Sequence, residues 1–290
     1  MNYEKYIKQN GKSLKNKNVV VTGATGCLGK ELCRFLAQLD ANIILVSRNL
    51  SKLKEFKHEL LDINKCIHVN IVTCDFLDIN DVKRATNELM NYKIDYLVHN
   101  AGAYALPKEN TSFNYNNVFQ INSIVPYYIS KKLLSNIKEN NGKIIIVSSI
   151  TSLYNHIDKN DIEFIKHRPI SLYGNSKRIE ILALTSLFKE HNVNYSIVHP
   201  GVSYTNITSN YKNIIHKIIK YPMKLIFISN KKATLNLIIG LFNNVKLPNW
   251  VGPRFFNIWG KPKINKCKIK DDNQYIYNYF NSIYDEIESL

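Results

Sequence analysis

The sequence predicts an α/β fold, a doubly wound parallel sheet with helices on both faces, in a single domain. Three observations predict it. Short apolar runs such as 19–21 and 43–46 alternate with longer amphipathic stretches, which is the order that gives a parallel sheet. A glycine-rich turn lies between the first apolar run and the first amphipathic stretch. The chain has 290 residues, 45% of them hydrophobic, enough to fill the core of one such domain.

Apolar periodicity places the elements. We expect strands at 18–22, 42–46, 67–74, 94–98, 143–147 and 195–198, and a last strand near Trp250-Val251. We expect helices from the glycine turn to Leu39 and at 50–61, 111–140, 231–243 and 273–290. A further helix is expected to contain Tyr173 and to continue through Leu184. Residues 1–17 are predicted to be an extension, 18–256 the nucleotide-binding domain with a substrate lid at about 203–230, and 257–290 a basic segment and helix outside it.

The turn at residues 23–29 has the features of a dinucleotide-binding site. Gly23 permits a tight turn, Gly26 lets backbone approach a pyrophosphate, and Gly29 lets the helix pack closely on the strand. The helix N-terminus offers free N–H groups and a positive dipole to the phosphates. The predicted contacts in this turn are Gly23, Thr25, Gly26, Cys27, Leu28 and Gly29.

The end of the second strand indicates which cofactor binds. Ser47 and Arg48 stand where an NAD-specific site has an Asp for the ribose 2′-hydroxyl. A hydroxyl and a guanidinium can instead bind and neutralise a 2′-phosphate. We therefore predict NADP (NADPH) as the cofactor. The alternative is that Arg48 only stacks on adenine, so that both cofactors bind.

Further cofactor contacts are expected at the ends of later strands, where sites in open parallel sheets lie. Asp75 could accept a hydrogen bond from the adenine amino group, and small residues after the fourth strand leave room for adenosine. Thr205 could bond the nicotinamide carboxamide, whereas His99 is expected to be structural. These contacts are Asp75, Phe76, Asn100, Ala101, Gly102, Pro200, Gly201 and Thr205.

Tyr173 and Lys177 are four residues apart in a predicted helix, so their side chains share one face. A cation beside a phenol favours the phenolate and lowers the phenol pKa, and such a pair can exchange a proton with a substrate oxygen. Ser149 follows the fifth strand and can donate to a substrate carbonyl. Pro126 lacks the N–H that would pair with the Asn122 carbonyl, which predicts a kinked helix with an unpaired acceptor.

These motifs, in this order, resemble the short-chain dehydrogenase/reductase family over about residues 15–256. The lengthened connection between Ser149 and Tyr173 is most like that of the retinol-dehydrogenase-like group. The resemblance implies a Rossmann-type fold. It also implies that the Asn122 carbonyl holds a water and that Lys177 bonds the nicotinamide ribose. The motifs that carry it are Thr22-Gly23 to Gly29, Asp75, Asn100-Ala101-Gly102, Asn122, Ser149, Tyr173, Lys177, Pro200-Gly201 and Thr205. The implied catalytic tetrad is Asn122, Ser149, Tyr173 and Lys177.

Three functions remain open from the sequence. The first is an oxidoreductase acting on a small carbonyl or alcohol substrate, with Tyr173 as acid and base. The second is a nucleotide-sugar epimerase or reductase of the extended branch, because the glycines follow the Gly-x-x-Gly-x-x-Gly spacing and Cys27 stands where many compact members have Gly. The third is a cofactor-binding regulator of the same fold without catalytic activity.

The charge is uneven along the chain. The formal net charge is +16 at pH 7, and residues 191–270 contain no Asp or Glu against twelve Lys and one Arg. The simplest interpretation is solvated lysine on top of Lys-rich codon usage. The alternatives are an anionic substrate or protein, or contact of the 212–270 region with an anionic surface. We expect no nucleic-acid partner and leave oligomerisation open.

The remaining composition predicts a cytoplasmic protein. The first 18 residues are rich in Lys and Asn and contain no apolar stretch typical of a signal peptide. The five Cys residues lack metal-site spacing, so we expect reduced core thiols and no metal. No apolar run is long enough to span a membrane.

Overall fold

The computed structural model describes residues 12–107, 109–154, 156–202, 228–269 and 273–290. They form one eight-stranded sheet with the order β3-β2-β1-β4-β5-β6-β7-β8. The first seven strands are parallel, and β8 is antiparallel to β7. The strands are β1 (Asn18–Thr22), β2 (Asn42–Ser47), β3 (Val69–Thr73), β4 (Tyr96–His99), β5 (Lys143–Val147), β6 (Asn194–Val198), β7 (Asn249–Phe255) and β8 (Trp259–Lys266). The predicted doubly wound parallel sheet is confirmed.

Helices connect the strands and cover both faces of the sheet. In the described ranges they are α1 (Cys27–Gln38), α2 (Leu50–Ile63), α3 (Ile79–Leu89), α4 (Asn117–Phe119), α5 (Val125–Lys132), α6 (Leu134–Glu139), α7 (Pro169–Glu190), α8 (Asn230–Phe242) and α9 (Asn273–Ser289). A π-helix (Gln120–Ile124) joins α4 to α5, and a 3₁₀ helix (Ile150–Leu153) follows β5. None of these helices has the length and apolarity that a membrane span requires.

The central strands are apolar on both faces, and alternate residues enter two different cores. Val20, Ile44 and Leu97 face a layer built from α3, α5, α7 and α9. Val19, Ile43 and their neighbours face the layer built from α1, α2 and α8. Because strands β1 to β7 are parallel, their carboxyl ends lie at one end of the sheet, where the predicted site residues converge.

The predicted helix over 111–140 is wrong in its start and its continuity. It begins only at Asn117, because the Asn116 side chain accepts hydrogen bonds from the Val118 and Phe119 amides and so caps it. Next comes the π-helix that ends at Ile124, where Val125 N–H donates to the Gln120 carbonyl, five residues back. Pro126 lies just beyond, in the first turn of α5. The proline thus goes with a widened turn rather than a simple kink, since its ring clashes with a normally placed carbonyl four residues earlier.

The segment after residue 256 is part of the same fold, contrary to the predicted boundary. Strand β8 pairs with β7 through most of its length, and α9 packs against α7 and α5 in the core. The sequence of β8 is basic and polar, and the exposed side of α9 is polar, which concealed the buried stripe of α9. The predicted lid at 203–230 lies almost entirely outside the described residues, which resume at Ile228.

Candidate active site

Tyr173 and Lys177 lie one turn apart in α7, which begins at Pro169. Proline suits the first turn of a helix because its missing N–H has no partner there. Lys177 is buried, with 3% of its side chain exposed, whereas Tyr173 is half-buried and its ring meets Tyr104 edge-on with 5.2 Å between ring centres. The predicted pair therefore points inward, toward the carboxyl end of β5.

Ser149 joins this pair from the other side. Its Oγ accepts from Thr151 N–H at 3.4 Å and from the Thr151 hydroxyl at 3.0 Å, and it is also hydrogen-bonded to Tyr173. With its acceptor positions used by Thr151, the Ser149 O–H remains to be donated. The structure thus brings Ser149, Tyr173 and Lys177 together at the end of β5.

The pKa of Tyr173 differs from the expectation. Burial raises the pKa of the phenol above its usual value, Lys177 and the Ser149 hydrogen bond lower it, and Glu180 raises it further. The predicted influence of Lys177 has the expected sign, but burial outweighs it. The phenol is therefore neutral at pH 7, the form that donates a proton.

Glu180 is a site residue that the sequence analysis missed. Its Oε2 lies 2.9 Å from Lys177 Nζ, and none of its side chain is exposed. Burial raises the pKa of this carboxyl to about 7, while Lys177 opposes the rise. Its spacing of three residues from Lys177 could have indicated the contact. No sequence motif, however, marks a single Glu on an apolar face of a helix.

Asn122 lies in the π-helix and fixes the backbone beside the site. Its side-chain amide donates to the Ala103 carbonyl and to Ser176 Oγ, both at 2.9 Å, and its Oδ1 accepts from Ala103 N–H at 2.8 Å. A Cβ added at Gly102 would lie 3.4 Å from the Asn122 Oδ1 and 3.7 Å from Lys177 Nζ. Asn122 therefore anchors the segment that borders Lys177.

The glycine turn forms the cradle that the sequence predicts. Gly23 has φ +64°, and a Cβ there would lie 2.9 Å from Ala101 Cα. A Cβ on Gly29 would lie 2.4 Å from the Gly23 carbonyl. Gly26 caps α1 without a side-chain acceptor, and the first turn has no acidic residue. The opening N–H groups of α1 are therefore available to an anion such as a pyrophosphate, with Cys27 and Leu28 in that turn.

Ser47 and Arg48 lie beside this cradle. Ser47 Oγ and Thr25 Oγ1 are hydrogen-bonded at 2.7 Å, and Arg48 is exposed. A hydroxyl pair next to an exposed guanidinium can receive a ribose phosphate or a ribose hydroxyl. The residues present therefore fit a dinucleotide, with Arg48 available for a 2′-phosphate.

The other predicted cofactor residues hold neighbouring strands together. Asn100 Nδ2 donates to the Thr22 carbonyl at 2.9 Å, while the Asn100 and Ala101 amides donate to Thr22 Oγ1. Asp75 Oδ1 accepts from Leu77 N–H at 3.1 Å. Phe76 is buried, and its carbonyl accepts from Gln120. His99 is buried and pairs with Ser130 through Nε2, as its expected structural role requires.

Pro200 and Gly201 lie at the end of β6. The Pro200 carbonyl accepts from Asn236 Nδ2 at 3.1 Å. Gly201 has φ +92°, and a Cβ there would lie 2.6 Å from Ile228 Cδ1, so only glycine fits. The predicted nicotinamide contact Thr205 lies outside the described residues.

Known proteins are similar to this chain in sequence. A sequence profile of the family described as short chain dehydrogenase matches residues 17–214. The chain is 26% identical over 210 residues to short-chain dehydrogenase TIC 32 A, chloroplastic, of Brassica napus, covering 67% of this chain and 66% of the relative. It is 29% identical over 206 residues to dehydrogenase/reductase SDR family member 7B of Rattus norvegicus, covering 68% and 61%. For retinol dehydrogenase 13 of Homo sapiens the identity is 26% over 203 residues, covering 67% and 61%. The chain thus spans less than two thirds of the length of these relatives.

Solved structures share the fold. An uncharacterized protein from Mycobacterium paratuberculosis superposes with a TM-score of 0.70 at 20% identity, covering 97% of this chain and 95% of that chain. A short-chain dehydrogenase from Sphingobium yanoikuyae in complex with NADPH superposes with a TM-score of 0.63 at 16% identity, covering 79% and 86%. At these identities the likeness concerns the fold.

Proposed function

Because the chain belongs to the short-chain dehydrogenase family, an oxidoreductase family that uses nicotinamide cofactors, we propose that it transfers a hydride between NADP(H) and a small carbonyl or alcohol substrate. The observation that carries the proposal is the convergence of Ser149, Tyr173 and Lys177 at the carboxyl end of β5. Carbonyl reduction needs a neutral phenol and a hydroxyl donor at one oxygen atom, and the buried ammonium favours the phenolate that remains.

In the reaction we propose, bound NADPH supplies the hydride to the carbonyl carbon. Ser149 donates a hydrogen bond to the carbonyl oxygen and stabilises the negative charge that develops there. Tyr173 gives its proton to the same oxygen, and in alcohol oxidation its phenolate takes the proton back. Lys177 would bond the ribose of the bound cofactor and favours the phenolate form. Asn122 holds the backbone at Ala103 in place, which keeps the wall of the site beside Lys177 rigid.

The direct test is a panel of aldehydes, ketones and alcohols followed at the nicotinamide absorbance, with NADPH, NADP, NADH and NAD. Turnover of at least one carbonyl or alcohol supports the proposal. Binding of a UDP-sugar without turnover of the panel would instead assign the extended-branch alternative. Tight NADPH binding without any turnover would assign the regulator.

We expect Arg48→Ala to weaken NADPH binding by about 1.5 kcal/mol, roughly tenfold in Kd, because an exposed charged hydrogen bond to the 2′-phosphate is lost. NADH, which lacks that phosphate, should lose little. Titration of cofactor fluorescence measures both affinities. Lys54→Ala, which removes another exposed cation of the same region, is the matched control. Equal weakening of NADPH and NADH would show that Arg48 does not select the cofactor.

We also propose that the basic region meets an anionic surface, through the tip of the β7–β8 hairpin. Phe255, Phe256 and Trp259 are 49%, 78% and 41% exposed there. Because β7 runs parallel to β6, this tip lies at the carboxyl end of the sheet, as the site does. Arg254 stacks over the Phe255 ring at 5.6 Å, and Lys261 is also exposed. Exposed aromatic and basic side chains together suit a headgroup layer with negative charge. A cytoplasmic location of the chain stays a prediction.

Co-sedimentation with vesicles tests this contact. We expect binding to vesicles that contain phosphatidylserine and none to neutral ones, and loss of binding at high salt, where surface charges are screened. Phe256→Ser combined with Trp259→Ser should reduce binding several-fold. Met90→Ser, which removes a 47% exposed apolar side chain at the opposite edge of the sheet, should not. Equal sedimentation of both variants would contradict the assignment of the hairpin tip.

A further inference from the structure

The buried ion pair between Lys177 and Glu180 is unusual because one half of the carboxylate lacks a partner. Glu180 Oε2 accepts from Lys177 Nζ at 2.9 Å. Within the described residues, Glu180 Oε1 is fully buried and has no hydrogen-bond partner. Removing a carboxylate from water is costly unless it is fully paired. A purely structural position would be filled more favourably by an apolar residue, as its neighbours Ile179 and Ile181 are.

Lys177 divides its three N–H donors among different tasks. One reaches Glu180 and a second reaches the Val147 carbonyl at 3.1 Å. An ammonium has three donors, so the third remains for the cofactor ribose in the proposed reaction. The Val147 carbonyl alone would hold the ammonium loosely. Glu180 adds a charged contact on the same helix that fixes where Nζ lies relative to Tyr173.

Among the described residues, few charged or titratable groups lie near this pair. On α7 itself they are Lys177 and Tyr173, and the charge of Glu180 raises the pKa of Tyr173. From β4 comes His99, whose pKa is lowered to about 3 by burial and by Lys177, so it is neutral. The π-helix and α5 contribute Asn122 and Ser130, which carry no charge. Tyr277 of α9 interacts with Glu190 at the far end of α7.

We propose that Glu180 is a positioning residue: its carboxylate fixes the Lys177 ammonium beside Tyr173 and, by partly neutralising it, sets the pH at which Tyr173 accepts a proton. The inference rests on the proposed function for the role of Tyr173. With Glu180 ionised, Lys177 stabilises the phenolate less, which favours the neutral phenol and the reduction direction. With Glu180 neutral, the full charge of Lys177 acts on Tyr173.

The test compares the pH dependence of alcohol oxidation in wild type, Glu180→Gln and Glu180→Asp. Oxidation needs the phenolate, so its rate rises as Tyr173 loses its proton. Glu180→Gln removes a negative charge, and we expect the half-maximal pH to fall by about 1 unit. Glu180→Asp keeps the charge and should keep the wild-type midpoint. Glu190→Gln, the same change at an exposed position on α7, is the matched control. Coincident profiles of wild type and Glu180→Gln would overturn the proposal.

Thermal unfolding gives a second readout that does not need turnover. Glu180 has a folded pKa of about 7, above its ordinary value of 4.5, so it stabilises the fold below that range and loses this contribution as pH rises through 7. The Tm of wild type minus that of Glu180→Gln should therefore fall between about pH 5 and 7.5. In a Lys177→Met background the same difference should fall at a higher pH, because Lys177 lowers the pKa of Glu180. A fall at the same pH in both backgrounds would overturn the pairing itself. Absence of any wild-type turnover would overturn the proposed function instead, and the unfolding curves would still decide whether Glu180 titrates against Lys177.

Discussion

Tyr173→Phe is expected to reduce turnover by about a hundredfold to ten-thousandfold, the usual contribution of a general acid. Phenylalanine keeps the ring and its edge-on contact with Tyr104, so the fold should be retained. Only the hydroxyl that touches Ser149 is removed. NADPH affinity should stay within a few-fold, because the phenol hydroxyl is one contact among many. Turnover with the best substrate of the panel and cofactor fluorescence measure the two effects.

Two further variants separate proton transfer from general damage. Tyr104→Phe removes a hydroxyl from the neighbouring ring and should leave most of the turnover. Lys177→Ala should reduce both turnover and NADPH affinity, since its ammonium lowers the pKa of the phenol and, in the proposed reaction, would bond the cofactor ribose. Wild-type turnover in Tyr173→Phe would remove the phenol from the mechanism and leave a cofactor-binding protein of this fold.

The elements that could be predicted from the sequence depend on local chemistry. Apolar runs such as 19–21 bury both faces of a strand wherever they lie. Gly23 has a φ of +64°, which favours glycine, and a side chain on Gly29 would collide with the Gly23 carbonyl. The spacing of Tyr173 and Lys177 needs only helical geometry. These features are fixed within a few residues of sequence, so a pattern is sufficient to find them.

The features that escaped prediction depend on contacts that no sequence pattern marks. Strand β8 is polar and basic, and its place follows only from pairing with β7. Glu180 is part of the site only because it forms a buried ion pair with Lys177. The π-helix around Asn122 could be expected to be irregular because of Pro126, but its width depends on the packing of α4 and α5. Contacts of this kind are decided in three dimensions, where a periodic pattern carries little information.

The C-terminal helix α9 is the clearest case, because its apolar stripe is buried although the sequence analysis placed it outside the domain. Ile276, Phe280 and Ile287 are fully buried. The Phe280 ring lies 5.2 Å from that of Tyr127 and 6.1 Å from that of Phe119, between ring centres. The helix is also tied to α5, where the Tyr127 hydroxyl donates to the Asn281 side chain at 2.7 Å. It therefore completes the core layer that supports α7 and its site residues.

Phe280→Ala should accordingly lower the free energy of unfolding by about 3–5 kcal/mol, the cost of deleting a buried aromatic ring and leaving a cavity. Urea denaturation followed by circular dichroism measures the loss. Ser282→Ala, at an exposed position two residues further along the helix, should change the value by less than about 0.5 kcal/mol. Because α9 packs directly on α7, we expect Phe280→Ala to reduce turnover at temperatures where the chain is still folded. A loss below about 1 kcal/mol would mean that α9 only borders the core, and that α7 keeps Tyr173 and Lys177 in place without it.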